Sequence, residues 1–556
     1  MMVFTSIDII PRGGTTLVEQ CRTDIDKDIA ALFASLSALR SRRNALASIF
    51  SLPPEVLVNI FIYFVEEGNF KIYTGIPRRG GAPILMIVTH VCRHWRQVAL
   101  ECPSLWTFID IDCLSAPWVP IMLERSKKAA LVVIYNEPSS PEYWPLVQLL
   151  SQLPRIKVLK LCTFSIVVDL ILDCLSSEPA PLLQIFNYKV LGNHDPRISV
   201  RPISDSIFQG RAPLLRSVEL AECAFILTSH VFSGLQTLDL RQIGPSPHLT
   251  LSQLHSALKR MPDLELLTLF LSSRISEDTE LFDQVPLTRL RRIVLNGCAI
   301  RTAVSLFSHL VLPVDASIAL CLTEIESPQS FSDLFSAIHK DPDRSFPIIR
   351  SLHAKFTDDT VSVQFSTSLA YIRNRDIVRL SIQFEYASDS AIIFGMCRMV
   401  PHHKIQKLYI STSLDLSQDF WRAGFAHLPE LESVNLRRTS IAGFILALMP
   451  VGVSMACPLL RALDIYDTDI GCDELRDLRE IARMRAKGDV CIQKLGLMDC
   501  RNVTEGNVQL LERVIAYVEW DGHEDVLMNS HGGCICPTCL DSDDSEDSSA
   551  DAHSED

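Results

Sequence analysis

The sequence lacks the short motifs by which many enzymes hold phosphate or activate a nucleophile. It has no glycine-rich phosphate loop, no G-x-S-x-G turn and no H-E-x-x-H pair. His90, Cys92 and His94 lie close together, but nothing around them indicates a base with the geometry that a nucleophile needs. We therefore expect a binding protein with no catalytic residue, metal or cofactor. An enzyme would instead need a polar pocket with converging titratable groups.

The chain also lacks a surplus of basic residues. It has 66 acidic and 52 basic side chains and a net charge of −14, of which the acidic residues in 541–556 supply eight charges. Nucleic acid binding needs a surplus of Lys and Arg, so we expect no nucleic acid partner. Two basic clusters are interpreted as solvated helix faces. They are Arg40, Arg42 and Arg43, and then Arg125, Lys127 and Lys128.

Targeting signals and membrane spans are not evident. Residues 1–16 lack the basic and apolar regions of a signal peptide and are expected to be disordered. The 17 cysteines then fit a reducing cytoplasm or nucleus. Residues 439–460 carry no charge, but Gly443, Pro450 and Gly452 interrupt them, which favours a buried helix and turn over a membrane span.

The C-terminal segment 521–556 is rich in Asp and Ser, and we expect a disordered acidic tail. It contains a tight cluster of potential zinc ligands. These are His531, Cys534, Cys536 and Cys539. Their spacing is unusually close for a tetrahedral site and no second cysteine pair follows, so the sequence favours no metal there.

Residues 17–50 have the pattern of one helix. A seam with alternating steps of four and three comprises Ile25, Ile29, Leu32, Leu36, Leu39, Arg43 and Leu46. Such a seam either packs on the next domain or forms a coiled-coil dimer. With only about three heptads, packing on the next domain is the favoured interpretation.

From about residue 150 to 500 one phrase, L-x-x-L-x-L, recurs every 20–32 residues. Clear copies end at Leu161, Leu220, Leu240, Leu269, Leu295, Leu436, Ile465 and Leu497. Weaker copies end near Tyr188, Leu322, Ala354, Ile382 and Ile410. Alternation predicts a short strand, and the residues that follow predict a helix on the opposite face. No unit buries its apolar face alone, so neighbouring units must stack.

The pattern resembles leucine-rich repeats. The resemblance implies an α/β solenoid over residues 111–520, a curved parallel sheet with outer helices. It also explains cysteines that follow the last strand residue by three positions, namely Cys223, Cys298 and Cys500. Thr439 and Thr468 take that place in two other copies. We expect these side chains to bond neighbouring backbone.

Ahead of the repeats, residues 51–110 contain five short motifs in a helical context. They are Leu52-Pro53-Pro54-Glu55, Ile60-Phe61, the run from Val91 through Trp95 to Arg96, Val98-Ala99 and Leu105-Trp106. In this order they resemble the F-box family. The loop expected at 66–83 is longer than the family usually has.

The resemblance implies a small helical module that binds the adaptor Skp1, and through it a cullin that carries the ubiquitin-transferring subunits. The implied Skp1-binding residues are Leu52, Pro53, Pro54, Ile60, Phe61, Val91 and Cys92. Trp95 and Trp106 are expected to pack inside the module and to connect it to the repeats.

A protein target would bind the open face of the repeat sheet. The residues expected there are Asp239, Arg241, Phe270, Arg292, Tyr409, Asn435, Arg437, Asp464 and Tyr466. The sequence thus predicts a substrate adaptor of a Skp1–cullin–F-box ubiquitin ligase. The competing hypothesis is a scaffold that works without the ligase.

Overall fold

A computed structural model describes most of the chain. The described residues are 15–74, 83–136, 143–192, 201–203, 205–223, 225–227, 229–241, 250–270, 283–325, 327, 329–338, 348–357, 360–369, 378–385, 404–450, 455–488 and 490–524. They fall into two compact units. Unit 1 covers Met1–Phe186 and Ser206–Leu214, and unit 2 covers Asn187–Asp205 and Leu215–Asp556.

Unit 1 begins with helices and continues with alternating strands and helices. Its helices are α1 (Thr15–Ala45), α2 (Pro54–Thr74), α3 (Leu85–Thr89), α4 (Arg93–Glu101), α5 (Trp118–Ser126), α6 (Trp144–Leu150) and α7 (Val168–Ser177). Its strands are β1 (Phe108–Asp110), β2 (Leu131–Tyr135) and β3 (Ile156–Phe164), while β4 (Ile185–Leu191) ends in unit 2. Its 3-10 turns are Ser48–Ser51, Pro103–Trp106, Leu153–Arg155, Ser165–Val167 and Ile207–Gly210. β1, β2 and β3 pair in parallel.

Unit 2 contains most of the strands. They are β5 (Ser217–Ala221), β6 (Thr237–Arg241), β7 (Leu266–Phe270), β8 (Val285–Pro286), β9 (Arg292–Ala299), β10 (Leu310–Val311), β11 (Ser317–Glu324), β12 (Ser351–Phe356), β13 (Thr360–Ser366), β14 (Val378–Glu385), β15 (Lys407–Ser411), β16 (Ser433–Arg437), β17 (Ala462–Tyr466), β18 (Lys494–Met498) and β19 (Tyr517–Trp520). The helices are α8 (Leu251–Lys259), α9 (Ile300–His309), α10 (Gln329–Ile338), α11 (Gln418–Phe425), α12 (Ala442–Leu448), α13 (Cys472–Lys487) and α14 (Glu505–Glu512), with a 3-10 turn at His230–Phe232.

The alternation predicted for each strand sets the two faces of the unit 2 sheet. In β6, Leu238 and Leu240 are buried, whereas Asp239 between them is partly exposed. The parallel register continues this pattern, with Leu238 opposite Leu267 and Leu267 opposite Ile293. Each such buried side chain stabilises the fold by about 1.5–3 kcal/mol.

A second regularity follows the strands. The backbone has a positive φ at the same place in five copies of the repeat pattern, namely at Glu222, Gly297, Arg438, Asp467 and Asp499. Each is followed directly by the Cys or Thr that the repeat pattern singled out. Thr439 and Thr468 donate to the carbonyl oxygens of Arg437 and Tyr466, both at 2.9 Å. Cys500 donates to the carbonyl of Ile465 at 3.4 Å. The expectation that these side chains bond backbone is confirmed at these three positions.

The order of the strands in space departs from the order in the sequence. From β5 onward the described sheet runs β5-β6-β7-β9-β11-β14-β13-β12-β15-β16-β17-β18-β19. β13 is antiparallel to both of its neighbours and the other pairings are parallel. The weak copies at Ala354 and Ile382 are therefore strands, but they do not follow one another as successive repeats.

Several predicted boundaries need correction. Residues 66–74 continue α2 rather than forming a loop, and residues 75–82 lie outside the described part. After that gap, Cys92 has an extended backbone and separates α3 from α4. Thr15 already belongs to α1. Residues 521–524 are described as well, and Glu524 accepts a hydrogen bond from the backbone N–H of Glu505 at 2.8 Å.

The structure describes most of the uncharged segment 439–460 and the apolar seam of α1. Within residues 439–460 the structure forms the seven-residue helix α12. In the part of the chain that is described, no helix is both long and apolar enough to cross a membrane. The seam of α1 from Ile25 to Leu39 is exposed, so the expectation that it packs on the next domain is wrong for these side chains. The tail motif at 531–539 lies outside the described residues.

An α/β protein with a helical N-terminal region and a large, mostly parallel sheet is confirmed. The solenoid itself remains a prediction.

Candidate partner-binding surfaces

Helix α2 carries two adjacent apolar stripes. Leu57, Phe61 and Val65 are four residues apart and buried, and this stripe faces the core formed with α3 and α4. Phe61 is only 1% exposed and packs on Trp95 with ring centroids 5.0 Å apart. This stripe holds the helical module together.

The second stripe of α2 is left exposed. It comprises Val56, Ile60, Tyr63 and Phe64. Ile87 on α3 and Val91 in the turn before α4 add to it. These six side chains are between 40% and 69% exposed. Pro53 and Pro54 at the start of α2 are exposed as well. We refer to these eight residues as the F-box surface. Exposed apolar side chains grouped on short helices are typical of a protein-binding site.

Some of the residues expected to bind Skp1 belong to this surface, and others lie in or beside the core beneath it. Pro53, Pro54, Ile60 and Val91 belong to the surface, and Leu52 is half-buried beside it. Phe61 lies in the core and therefore cannot touch a partner without opening the module.

Cys92 has a structural role that its position within the motif did not reveal. Its sulfur accepts a hydrogen bond from the backbone N–H of Trp95 at 3.4 Å and so caps α4. His94, which follows Cys92 by two residues, packs on Phe50 with ring centroids 5.5 Å apart. Both side chains thus have local packing partners.

Trp106 anchors the end of the module. It is fully buried, and its indole N–H donates to the carbonyl oxygen of Ala99 at 2.9 Å. The guanidinium of Arg125, on α5, lies 4.5 Å from the centre of its ring. Trp106 therefore joins the helical module to the first β-α elements of unit 1.

Comparison with known proteins agrees with this interpretation of the module. Residues 49–112 match the family model described as F-box-like. That segment contains the whole F-box surface, and it suggests a role as a Skp1-binding adaptor in ubiquitin ligases. F-box proteins are generally adaptors rather than enzymes. No curated protein matches the chain.

The sheet of unit 2 brings the residues expected to bind a target into two groups. Asp239, Arg241, Phe270 and Arg292 lie on the neighbouring strands β6, β7 and β9. The remaining five lie on β15, β16 and β17, and they are Tyr409, Asn435, Arg437, Asp464 and Tyr466. Strands β11, β14, β13 and β12 separate the two groups.

In the first group Asp239 and Arg241 are already paired with each other. Arg241 donates to Asp239 through Nη2 at 2.6 Å and through Nε at 3.0 Å. Its Nη2 also lies 3.5 Å from a carboxylate oxygen of Glu219. The hydrogen bonds to Asp239 raise the pKa of Arg241. A partner must compete with this pairing, so Asp239 and Arg241 are weaker candidates for charged contacts.

In the second group the register aligns a row of polar and aromatic residues. The row is His353, Tyr409, Asn435, Asp464, Gly496 and Glu519. The rings of His353 and Tyr409 stack at 4.0 Å with an interplanar angle of 13°. Burial lowers the pKa of His353 to about 4, so this imidazole is neutral at physiological pH.

The position of the Asp464 side chain depends on Gly496, its neighbour on the next strand. A Cβ at Gly496 would lie 2.5 Å from Oδ1 of Asp464, so only glycine leaves this carboxylate its present place. Lys494 reaches Asp464 at 3.6 Å and Glu519 at 2.8 Å. Tyr466 and Arg437 lie two residues further along their strands than Asp464 and Asn435, and both are exposed and available to a partner.

His353, Lys494 and Glu519 were missed by sequence reasoning. The copy ending at Ala354 was weak, so the outward position of His353 one residue earlier carried little signal. Lys494 lies in a clear copy of the repeat pattern. Alternation counted back from Leu497 would have placed its side chain on the open face of the sheet.

The cysteines that follow the strands are buried and protonated. Burial raises the pKa of Cys223 and Cys298 to about 12, and that of Cys500 to about 11, so these thiols are poor nucleophiles at neutral pH. Among the described residues no group of three His, Cys, Asp or Glu side chains is arranged to hold a metal ion.

Proposed function

We propose that this protein is a substrate-recognition adaptor of a Skp1–cullin–F-box ubiquitin ligase. The F-box surface binds Skp1, Skp1 connects it to a cullin, and the open face of the unit 2 sheet, built as a leucine-rich-repeat solenoid, binds a protein target. The target's lysines are then ubiquitinated by the partner subunits, which marks it for degradation.

One observation carries the proposal for Skp1. Inside the segment that matches the F-box-like family, α2 exposes a complete apolar stripe directly beside the stripe that forms its core. A helix in a monomeric module needs only one such stripe. Covering the second stripe would gain the usual free energy of apolar burial, so an apolar partner groove is its natural complement.

The proposal for the target rests on the second group of the sheet face. Tyr466 and Arg437 are exposed neighbours on β16 and β17, and the polar row beside them is held in fixed geometry by pairing and stacking. Tyr and Arg contribute much of the binding energy at protein interfaces. Side chains on a rigid sheet also lose little conformational entropy on binding.

The experiment is a titration of purified Skp1 into the full-length chain. We compare the wild type with Ile60→Ala/Val91→Ala and with Leu52→Ala/Pro53→Ala. Each pair removes two apolar contacts, so we expect a loss of about 2–4 kcal/mol, or roughly 30- to 1000-fold in Kd. The matched control is Ile166→Ala/Leu170→Ala, which removes two exposed apolar side chains elsewhere in unit 1.

Thermal unfolding of each variant shows whether the fold survives. Tight binding that both test pairs lose and the control keeps supports the adaptor. No binding by a folded wild type contradicts it and leaves the ligase-independent scaffold. For the target, proteins ubiquitinated in cells are compared between the wild type and Tyr466→Ala/Arg437→Ala. Loss of the same proteins that a Skp1-binding variant loses supports the sheet face as the docking site.

A further inference from the structure

Helix α1 has an apolar seam that the rest of the described chain leaves uncovered. Ile25, Ile29, Leu32, Leu36 and Leu39 are between 43% and 62% exposed. Among the described elements, α1 makes its main contact with the adjacent 3-10 turn Ser48–Ser51. At 31 residues it is long for a helix without tertiary packing, because helices in proteins owe most of their stability to a buried face.

The charges of α1 are divided between its ends. Its first half carries Glu19, Asp24, Asp26 and Asp28 beside only Arg22 and Lys27. Its second half carries Arg40, Arg42 and Arg43 and no acidic residue. A helix with one acidic end and one basic end is complementary to a second copy of itself that runs in the opposite direction.

We propose that α1 forms an antiparallel two-stranded coiled coil with α1 of a second copy of this chain. The heptad steps place Ile29 and Leu36 at a positions and Ile25, Leu32 and Leu39 at d positions. With the two-fold axis at residue 34, Leu36 faces Leu32 of the other copy, and Ile29 faces its Leu39. The two α1 helices then overlap from residue 23 to residue 45, about 34 Å at 1.5 Å per residue.

This register also pairs the charges that flank the seam. Asp28 lies opposite Arg42 of the other copy, and Asp26 lies opposite its Arg40. Symmetry repeats both pairs, giving four acid–base contacts. Shifting the register by one heptad in either direction pairs these residues with uncharged ones or leaves a single pair. Arg43 falls at the outer layer, where its aliphatic stem covers Ile25 and its guanidinium reaches solvent.

The parallel arrangement is disfavoured by the same residues. In register, it would set Arg43 against Arg43 inside the seam and bring both basic ends together. Like charges at such positions repel and select against that arrangement. The dimer involves neither the F-box surface nor the sheet face, so it does not depend on the proposed function.

The test uses the full-length chain and sedimentation or light scattering to measure its mass. We expect twice the monomer mass for the wild type and monomer for Leu32→Asp/Leu36→Asp, with association weakened at least about 100-fold. Leu17→Asp is the matched control, because Leu17 is 58% exposed on the same helix but off the seam. It should stay dimeric. Circular dichroism verifies that each variant is folded.

Cross-linking reports the direction of the helices. Ser35 lies beside the proposed axis, so the thiol introduced by Ser35→Cys should form a disulfide with its own counterpart under mild oxidation. The native Cys21 lies about 39 Å from its counterpart in this arrangement and should not. A monomeric wild type, or a dimer that survives Leu32→Asp/Leu36→Asp, overturns the proposal. A disulfide that joins the two copies of Cys21, with none formed between the thiols introduced by Ser35→Cys, overturns the antiparallel direction.

Discussion

Phe61 and Trp95 pack with ring centroids 5.0 Å apart, and this contact holds α2 against α4. Ile60, the neighbour of Phe61 in the sequence, points away from it and is exposed. One helix turn thus contains both a residue that supports the module and a residue that is free to meet a partner.

Replacing Phe61 and replacing Ile60 should therefore have different consequences. Phe61→Ala leaves a cavity beneath the F-box surface and should lower the free energy of unfolding by about 3–5 kcal/mol. Ile60→Ala removes an exposed side chain and should change it by less than about 0.5 kcal/mol. Chemical denaturation of both variants measures the difference. Equal stability losses would show that Ile60 is also part of the core.

Gly443 is required where α12 meets the backbone before α11. A Cβ there would overlap the carbonyl oxygen of Leu416, and a backbone atom cannot rotate away. Gly443→Ala should cost about 1–3 kcal/mol or more through overpacking. Gly424 on α11 has no atom within 4 Å of its Cβ position, so Gly424→Ala should gain about 0.5–1 kcal/mol. Thermal melts that rank the two variants the other way would contradict this packing.

Arg485 is a buried cation that fastens α13 to the turn before β17. It is 1% exposed and donates to the carbonyl oxygens of Ala456 and Cys457 at 2.8 and 2.7 Å. Arg485→Ala leaves two buried acceptors without these donors and should cost about 2–5 kcal/mol. Arg483, on the same helix, forms an exposed pair with Glu480 at 3.0 Å. Arg483→Ala should cost under about 0.5 kcal/mol in the same denaturation experiment.

His353 should make stability depend on pH. Its folded pKa is lowered to about 4 by burial, whereas an unfolded histidine titrates near 6.5. Between these two pH values the unfolded chain binds more protons than the folded chain. The free energy of unfolding therefore falls as the pH falls from about 6.5 to about 4, by at most about 1.4 kcal/mol per pH unit.

The comparison variant is His353→Phe, which keeps an aromatic ring against Tyr409 and removes the titration. Unfolding free energies measured at several pH values should fall less steeply for this variant than for the wild type. Identical slopes would place His353 in a solvated environment.

The F-box motifs were recognisable because each one specifies a local structure. Pro53 and Pro54 fit the first turn of α2, and the i, i+4 spacing of apolar residues predicts a helix there. Spacing alone did not decide which of Ile60 and Phe61 is buried, because both lie within one broad apolar face. That choice depends on where α4 packs.

The positions after the strands were predictable for a related reason. A residue in the left-handed region turns the chain, and the following Thr returns a hydrogen bond to the carbonyl two residues before it, as Thr439 and Thr468 do. Such contacts are local, so their sequence pattern repeats. The pairing of Asp239 with Arg241 is also local, and alternation along β6 places both on the open face.

Residue spacing was enough to specify the helical module, the periodic strands and the face on which each strand side chain lies, because these follow from one stretch of chain at a time. Tertiary packing was needed to establish that β14 and β13 enter the sheet between β11 and β12, that Phe61 is covered while the seam of α1 is not, and that His353 stacks on Tyr409. These outcomes depend on pairing between segments far apart in sequence, and apolar burial rewards any well-packed partner without specifying which segment supplies it.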